Sequence, residues 1–169
     1  MTDRDDLEAQ IRRPLRAESG VVARCPLGLP VVAEVPPILD DGTPFPTRYW
    51  LSCPLASIRI GRLEASGGVR AMERHAEADS DFALELEAAH RRYGADRDAL
   101  VPPGASPAPS GGVGGARTGV KCLHAHYADH AAGNDNPVGR MVAPWVEPLN
   151  CTIPCVVAAT ANPGWREPK

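Results

Sequence analysis

The sequence predicts an α+β fold, with a small antiparallel sheet of about three strands packed against three to four helices. Two observations carry this. Val21-Val22-Ala23 and Val31-Val32-Ala33-Glu34-Val35 are β-branched runs separated by Cys25-Pro26-Leu27-Gly28-Leu29-Pro30, the pattern of two strands joined by a turn. Further on, Phe82, Leu86, Ala89 and Tyr93 recur at i, i+4, i+7 and i+11, which aligns them along one face of a helix, with Glu87 and Arg91 paired on the outside.

The elements follow in order. Residues 1–19 form a charged N-terminal segment, with a short helix from Thr2 to Ile11 that Pro14 brings to an end. After the hairpin, Asp40 to Thr47 reads as a stiff loop in which Asp41-Gly42 makes the turn and Pro44 and Pro46 fix its exit. Asp41, Thr43 and Thr47 stabilise that loop from within. Arg48 to Ser52 is a third strand. Pro54 opens a helix, since its missing N–H is an orphan in the first turn anyway. Leu55, Ile58 and Leu63 continue that helix until Gly67-Gly68. A shorter helix covers Val69 to Ala78, and Asp79 or Ser80 caps the longer one that carries the apolar stripe. The helices expected to cover the sheet are thus 54–66, 80–95 and 120–132, the last with Val120, Leu123, Tyr127 and Ala131 inward and Gly133 at its end.

Residues 101–119 are rich in Gly and Pro and offer almost nothing to bury, so they read as a flexible linker inside a single domain spanning 20–139. Residues 140–169 hold several prolines without a usable period and are expected to be an irregular tail.

Composition excludes several classes of function. A net charge of −3 gives no general attraction to phosphate backbones or anionic lipid, which argues against a nucleic-acid partner. No apolar run approaches the roughly 20 residues a bilayer requires, and the acidic start lacks the apolar core of a secretory signal. The expectation is a cytoplasmic protein without a membrane partner, and a protein partner if it is a binding module. Five cysteines, an odd number, fit reduced thiols used for metal binding, catalysis or packing. Only 5% of the residues are aromatic, so the core relies on small side chains with Phe45, Trp50, Phe82 and Tyr93 as anchors.

Arg24-Cys25-Pro26, Asp41-Gly42-Thr43-Pro44-Phe45-Pro46-Thr47, Leu51-Ser52-Cys53-Pro54, Arg62-Leu63-Glu64-Ala65-Ser66-Gly67, Val120-Lys121-Cys122-Leu123-His124-Ala125 and Asn136-Pro137-Val138-Gly139 together resemble the DUF501 family, a bacterial domain of unknown function. The motifs stand in the same order, and the resemblance covers roughly Gly20 to Gly139. It implies a small cytoplasmic protein and no particular activity.

Cys122, His126 and His130 lie four residues apart, a spacing that puts them on one helix face. Thiolate and imidazole are the ligands zinc favours, and Cys25 in the hairpin turn and Cys53 ahead of a helix would complete a site of Cys25, Cys53, Cys122 and His126, with His130 as a substitute. The alternative is that Cys122 simply packs as a small hydrophobe and the histidines line a solvated face.

Cys53 at a helix N-terminus also suits a nucleophile, with His124 or His126 as its base. Cys53 to Arg59 has the Cys-x5-Arg spacing of cysteine phosphatases but lacks the glycines that wrap a phosphate, and reads as chance. Arg48, Arg59, Arg62 and Lys121 are candidates for binding an anion, against the plainer reading of a solvated basic face. Cys151 and Cys155 lie close together in the tail, in a context unlike a redox motif. Two function classes follow: a non-catalytic binding or regulatory module stabilised by zinc, and a cysteine–histidine enzyme acting on a small anionic substrate through Cys53 or Cys122.

Overall fold

A computed structural model describes residues 2–169. It has the α+β architecture. Strands β1 (Gly20–Arg24), β2 (Pro30–Glu34) and β3 (Tyr49–Leu51) form an antiparallel sheet in the order β1-β2-β3. Val21 stands opposite Ala33 on one side of β2, and Ala33 opposite Trp50 on the other. The central strand therefore carries the burial, and Val31, Val32 and Ala33 are each at most 2% exposed.

Helix α1 (Asp3–Ile11) begins with Thr2, whose hydroxyl accepts from the Asp5 N–H while the Asp5 carboxylate accepts from the Thr2 N–H, a reciprocal cap. Helix α2 (Pro54–Ala65) starts on Pro54 as the chemistry of that position requires, and α3 (Gly68–Ala78) follows after a left-handed Gly67. Asp79 caps α4 (Ser80–Asp98) through the N–H groups of Asp81 and Phe82. The predicted stripe of Phe82, Leu86, Ala89 and Tyr93 is buried, and Arg91 pairs with Glu87 at 2.9 Å on the exposed side. The Tyr93 hydroxyl accepts from the backbone N–H of Arg48 at 2.6 Å and of Tyr49 at 3.2 Å, which fastens α4 to β3. Of the expected anchors, Phe82 and Tyr93 are core residues. Phe45 and Trp50 instead stack 5.7 Å apart beside a partly open cavity behind α1, and Tyr49 and Tyr127 take central places in the core.

The segment 101–119 has an anchor that composition hides. Val113 is 1% and Ala116 4% exposed, in and beside a single 3-10 turn at Val113–Gly115. His90 holds the segment at two points: Nδ1 accepts from the Val113 N–H at 3.0 Å, and Nε2 lies 2.8 Å from the Gly119 carbonyl. Because Nδ1 accepts, the ring proton sits on Nε2 and donates. Gly112 permits this approach, since a Cβ there would lie 2.3 Å from the His90 Nδ1. The buried Arg97 guanidinium adds hydrogen bonds to the Pro46 and Ser110 carbonyls.

Helix α5 (Leu123–Ala131) packs across the sheet. It is followed by α6 (Pro137–Val146), whose N-cap Asn136 accepts from the Gly139 N–H. Here the structure departs from the irregular tail expected beyond Gly139. Val142, Ala143 and Val146 are buried against α2, α4 and α5, and Pro144 is accommodated near the end of the helix, where the ladder is about to stop. A short hairpin, β4 (Val156–Val157) and β5 (Thr160–Ala161), then packs on α1. No helix among the described residues is long and apolar enough to cross a membrane.

Candidate metal centre

Lys121 adopts φ +58, and the Cys122 N–H returns to the Val120 carbonyl at 2.6 Å. This tight turn ends at Cys122, which is the extended N-cap of α5 and lies outside the helix. The four-residue spacing to His126 therefore does not place the two side chains on one helix face. Cys122 offers no side-chain cap to α5. The orphan N–H of Leu123 is satisfied from α2 instead, by Glu64 Oε1 at 2.7 Å. The same oxygen lies 3.2 Å from His124 Nδ1, while His124 Nε2 is 3.3 Å from the Ser57 carbonyl.

Glu64, Cys122 and His124 thus bring one ligand atom each within 4.8 Å of one another, in a half-buried position. The nearby Cys122 sulfur, helped by the Glu64 carboxylate and opposed by burial, pushes the His124 imidazole up to about 9. The ring lies beside a sulfur and a carboxylate, a setting that favours its protonated form. The electron pairs that retain this proton are the ones a divalent cation would use.

The ligand set expected from sequence is divided by the structure. His126 is fully buried, with Nδ1 3.0 Å from Asn136 Oδ1 and Nε2 3.0 Å from the Val120 carbonyl, so both ring nitrogens face acceptors inside the core and the neutral ring donates to one of them. Burial pushes it down to about 4 against the pull of these two acceptors. Asn136 in turn donates to the buried Asp129, which Arg92 neutralises. His130 packs beside Gly139, where a Cβ would lie 2.4 Å from that of His130. Cys25 and Cys53 line a different pocket, together with Cys151 and Cys155.

The catalytic pair of Cys53 and His124 is not assembled, because the His124 ring is engaged by Cys122, Glu64 and Ser57. Cys53 is 6% exposed, and burial pushes its thiol up to about 11 despite the nearby Ala56 and Leu55 N–H groups, the reverse of what a nucleophile needs.

The proposed anion ligands are each occupied and do not converge. Arg48 pairs with Glu34 at 2.9 Å, and Arg62 holds Glu167 through two hydrogen bonds of 2.7 Å. Arg59 donates to the carbonyls of Val146 and Pro148 and to Asn150 Oδ1, and Lys121 to the Gly114 carbonyl. The Asp41 loop, by contrast, stabilises itself as expected: the Asp41 carboxylate accepts from the Thr43 N–H at 3.0 Å.

Glu64 was not evident from sequence as a member of the site. The available signal was the unpartnered N–H at the start of α5, which calls for an acceptor without saying where in the chain it lies.

This fold, with its Glu/Cys/His group, defines an α+β protein equipped with side chains able to hold a metal. The chain belongs to the family described as protein of unknown function (DUF501), whose model matches residues 21–144. Neither a curated protein nor a solved structure matches it.

Proposed function

We propose that the protein is a non-catalytic, cytoplasmic binding module in which Glu64, Cys122 and His124 hold a zinc ion. The observation that carries this reading is the approach of carboxylate, sulfur and imidazole within 4.8 Å across two helices. All three are accepted zinc ligands, and three protein donors leave one tetrahedral position for water or for a donor from a protein partner. The ion would tie the end of α2 to the start of α5 and take over from the proton on His124.

Elemental analysis of untagged protein purified without chelator tests this. One equivalent of zinc should disappear in Cys122→Ser and persist in His130→Ala. Metal content identical in wild type and Cys122→Ser would overturn the assignment.

A second reading, a cysteine–histidine enzyme acting on a small anionic substrate, draws on the approach of Cys122 to His124 within 4.8 Å, with Glu64 at Nδ1. It requires Cys122 to alkylate rapidly in metal-free protein and no zinc to depend on Cys122. The same two measurements therefore separate the readings.

A further inference from the structure

Four of the five cysteines meet in one place. Cys25 comes from the β1–β2 turn, Cys53 from the N-cap of α2, and Cys151 and Cys155 from the segment after α6. All four line a single, largely apolar pocket, and all are free thiols. The space among them is small: ≈10 Å³ is open to the centre of a water-sized body, room for about one such body.

We propose that Cys25, Cys53, Cys151 and Cys155 form a second metal site, a four-thiolate cage for a single soft divalent ion such as zinc. This site shares no residue with the Glu64–Cys122–His124 group and stands or falls independently of it.

The surroundings supply hydrogen-bond donors to two of the sulfurs. The Cys155 sulfur receives Gln10 Nε2 and the Cys151 sulfur receives Trp165 Nε1, both at 3.5 Å, while Cys53 sits at the N-cap of α2. Donors aimed at sulfur orient ligands and spread the negative charge of a metal–thiolate complex. Gln10 also leaves a buried Oε1 without a partner, an unsatisfied polar atom on a residue that lines the pocket.

Tetrahedral zinc with bonds near 2.3 Å would hold its sulfurs about 3.8 Å apart. Among the described residues, only the Glu64 group brings three ligand atoms within 4.8 Å, so the thiols stand wider than an ion would hold them. The site therefore requires the thiols to turn about χ1 and close on the ion as it binds. An iron–sulfur cluster would suit a wider spacing, but its cube of iron and sulfide needs far more room than one water-sized body. The small space among the thiols favours one ion over a cluster. Binding is an exchange without redox change: one divalent ion and four thiols give a tetrathiolate complex of net charge −2 and four protons.

The test uses the untagged full chain, made metal-free under reductant and titrated with Co2+ as the spectroscopic probe, then with Zn2+. A sulfur-to-cobalt charge-transfer band of four-thiolate intensity is expected, displaced by Zn2+, lost in Cys155→Ser and kept in Cys122→Ser. Alkylation followed by peptide mapping needs no variant. Zn2+ should slow labelling of Cys25, Cys53, Cys151 and Cys155 together by tenfold or more, and chelator should restore it. Equal labelling with and without Zn2+, or a cobalt band indifferent to Cys155→Ser, would overturn the site. Iron with acid-labile sulfide in the purified protein would overturn the single-ion assignment.

Discussion

Asp129 is fully buried in α5 and receives both terminal nitrogens of Arg92 from α4, at 2.5 and 3.2 Å. Asn134 and Asn136 also donate to this carboxylate, so its charge is met from three directions. Removing the guanidinium leaves a buried anion with amide partners alone. Arg92→Ala should therefore cost about 3 kcal/mol, the usual penalty for breaking such a pair from one side. Urea denaturation of wild type and variant measures it, and a loss below about 1 kcal/mol would show that the asparagines suffice.

His126 makes stability depend on pH in a defined direction. Its folded value of about 4 lies below the ordinary 6.5, so the unfolded chain binds the extra proton first. The groups facing it are Asn136, the Val120 carbonyl, Asp129 and the edge-on ring of His90. Its stabilising contribution is complete above pH 6.5 and declines as pH falls from there toward 4. The His126 ring signals in an NMR titration should remain those of neutral imidazole at pH 5.5; a midpoint near 6.5 would contradict the burial argument. His124 in metal-free protein has the opposite sign. Its raised value makes a contribution that is complete below pH 6.5 and lost as pH rises through about 9.

Truncation after Gly139 should be severe. It removes the buried Val142, Ala143 and Val146, and with them the hydrogen bond from the Tyr127 hydroxyl to Glu147. Two valines and an alanine returned to water amount to about 4 kcal/mol. For a chain of this size that lowers the melting temperature by roughly 10 °C or more. A truncated protein melting within about 3 °C of the full chain would show that α6 is dispensable.

Periodic elements were legible in the sequence and contacts between distant segments were not. The stripe from Phe82 to Tyr93 and the hairpin around Cys25 announce themselves because local burial imposes a local period. Helix α6 was obscured by Pro137 and Pro144, which are harmless only because one opens the helix and the other falls near its end. The Gly-rich stretch before Val120 looked unanchored because Gly112 is a point of close approach to His90, a neighbour invisible from composition. The spacing of Cys122 and His126 misled because it assumes a helix that begins only at Leu123. Cys25 and Cys53 belong with partners about a hundred residues onward or more, a juxtaposition that no window along the chain contains.

The clasp of Arg59 and Arg62 on residues 146–150 and Glu167 has a consequence for the order of assembly. These contacts close spans of 87 to 105 residues, the longest loops being the most costly to shut before any reward is collected. During synthesis α2 leaves the ribosome well before residues 146–167, so both arginines first meet water without these partners. A nascent chain that exposes α2 but not yet residues 146–167 therefore holds two guanidinium groups open to any passing carboxylate.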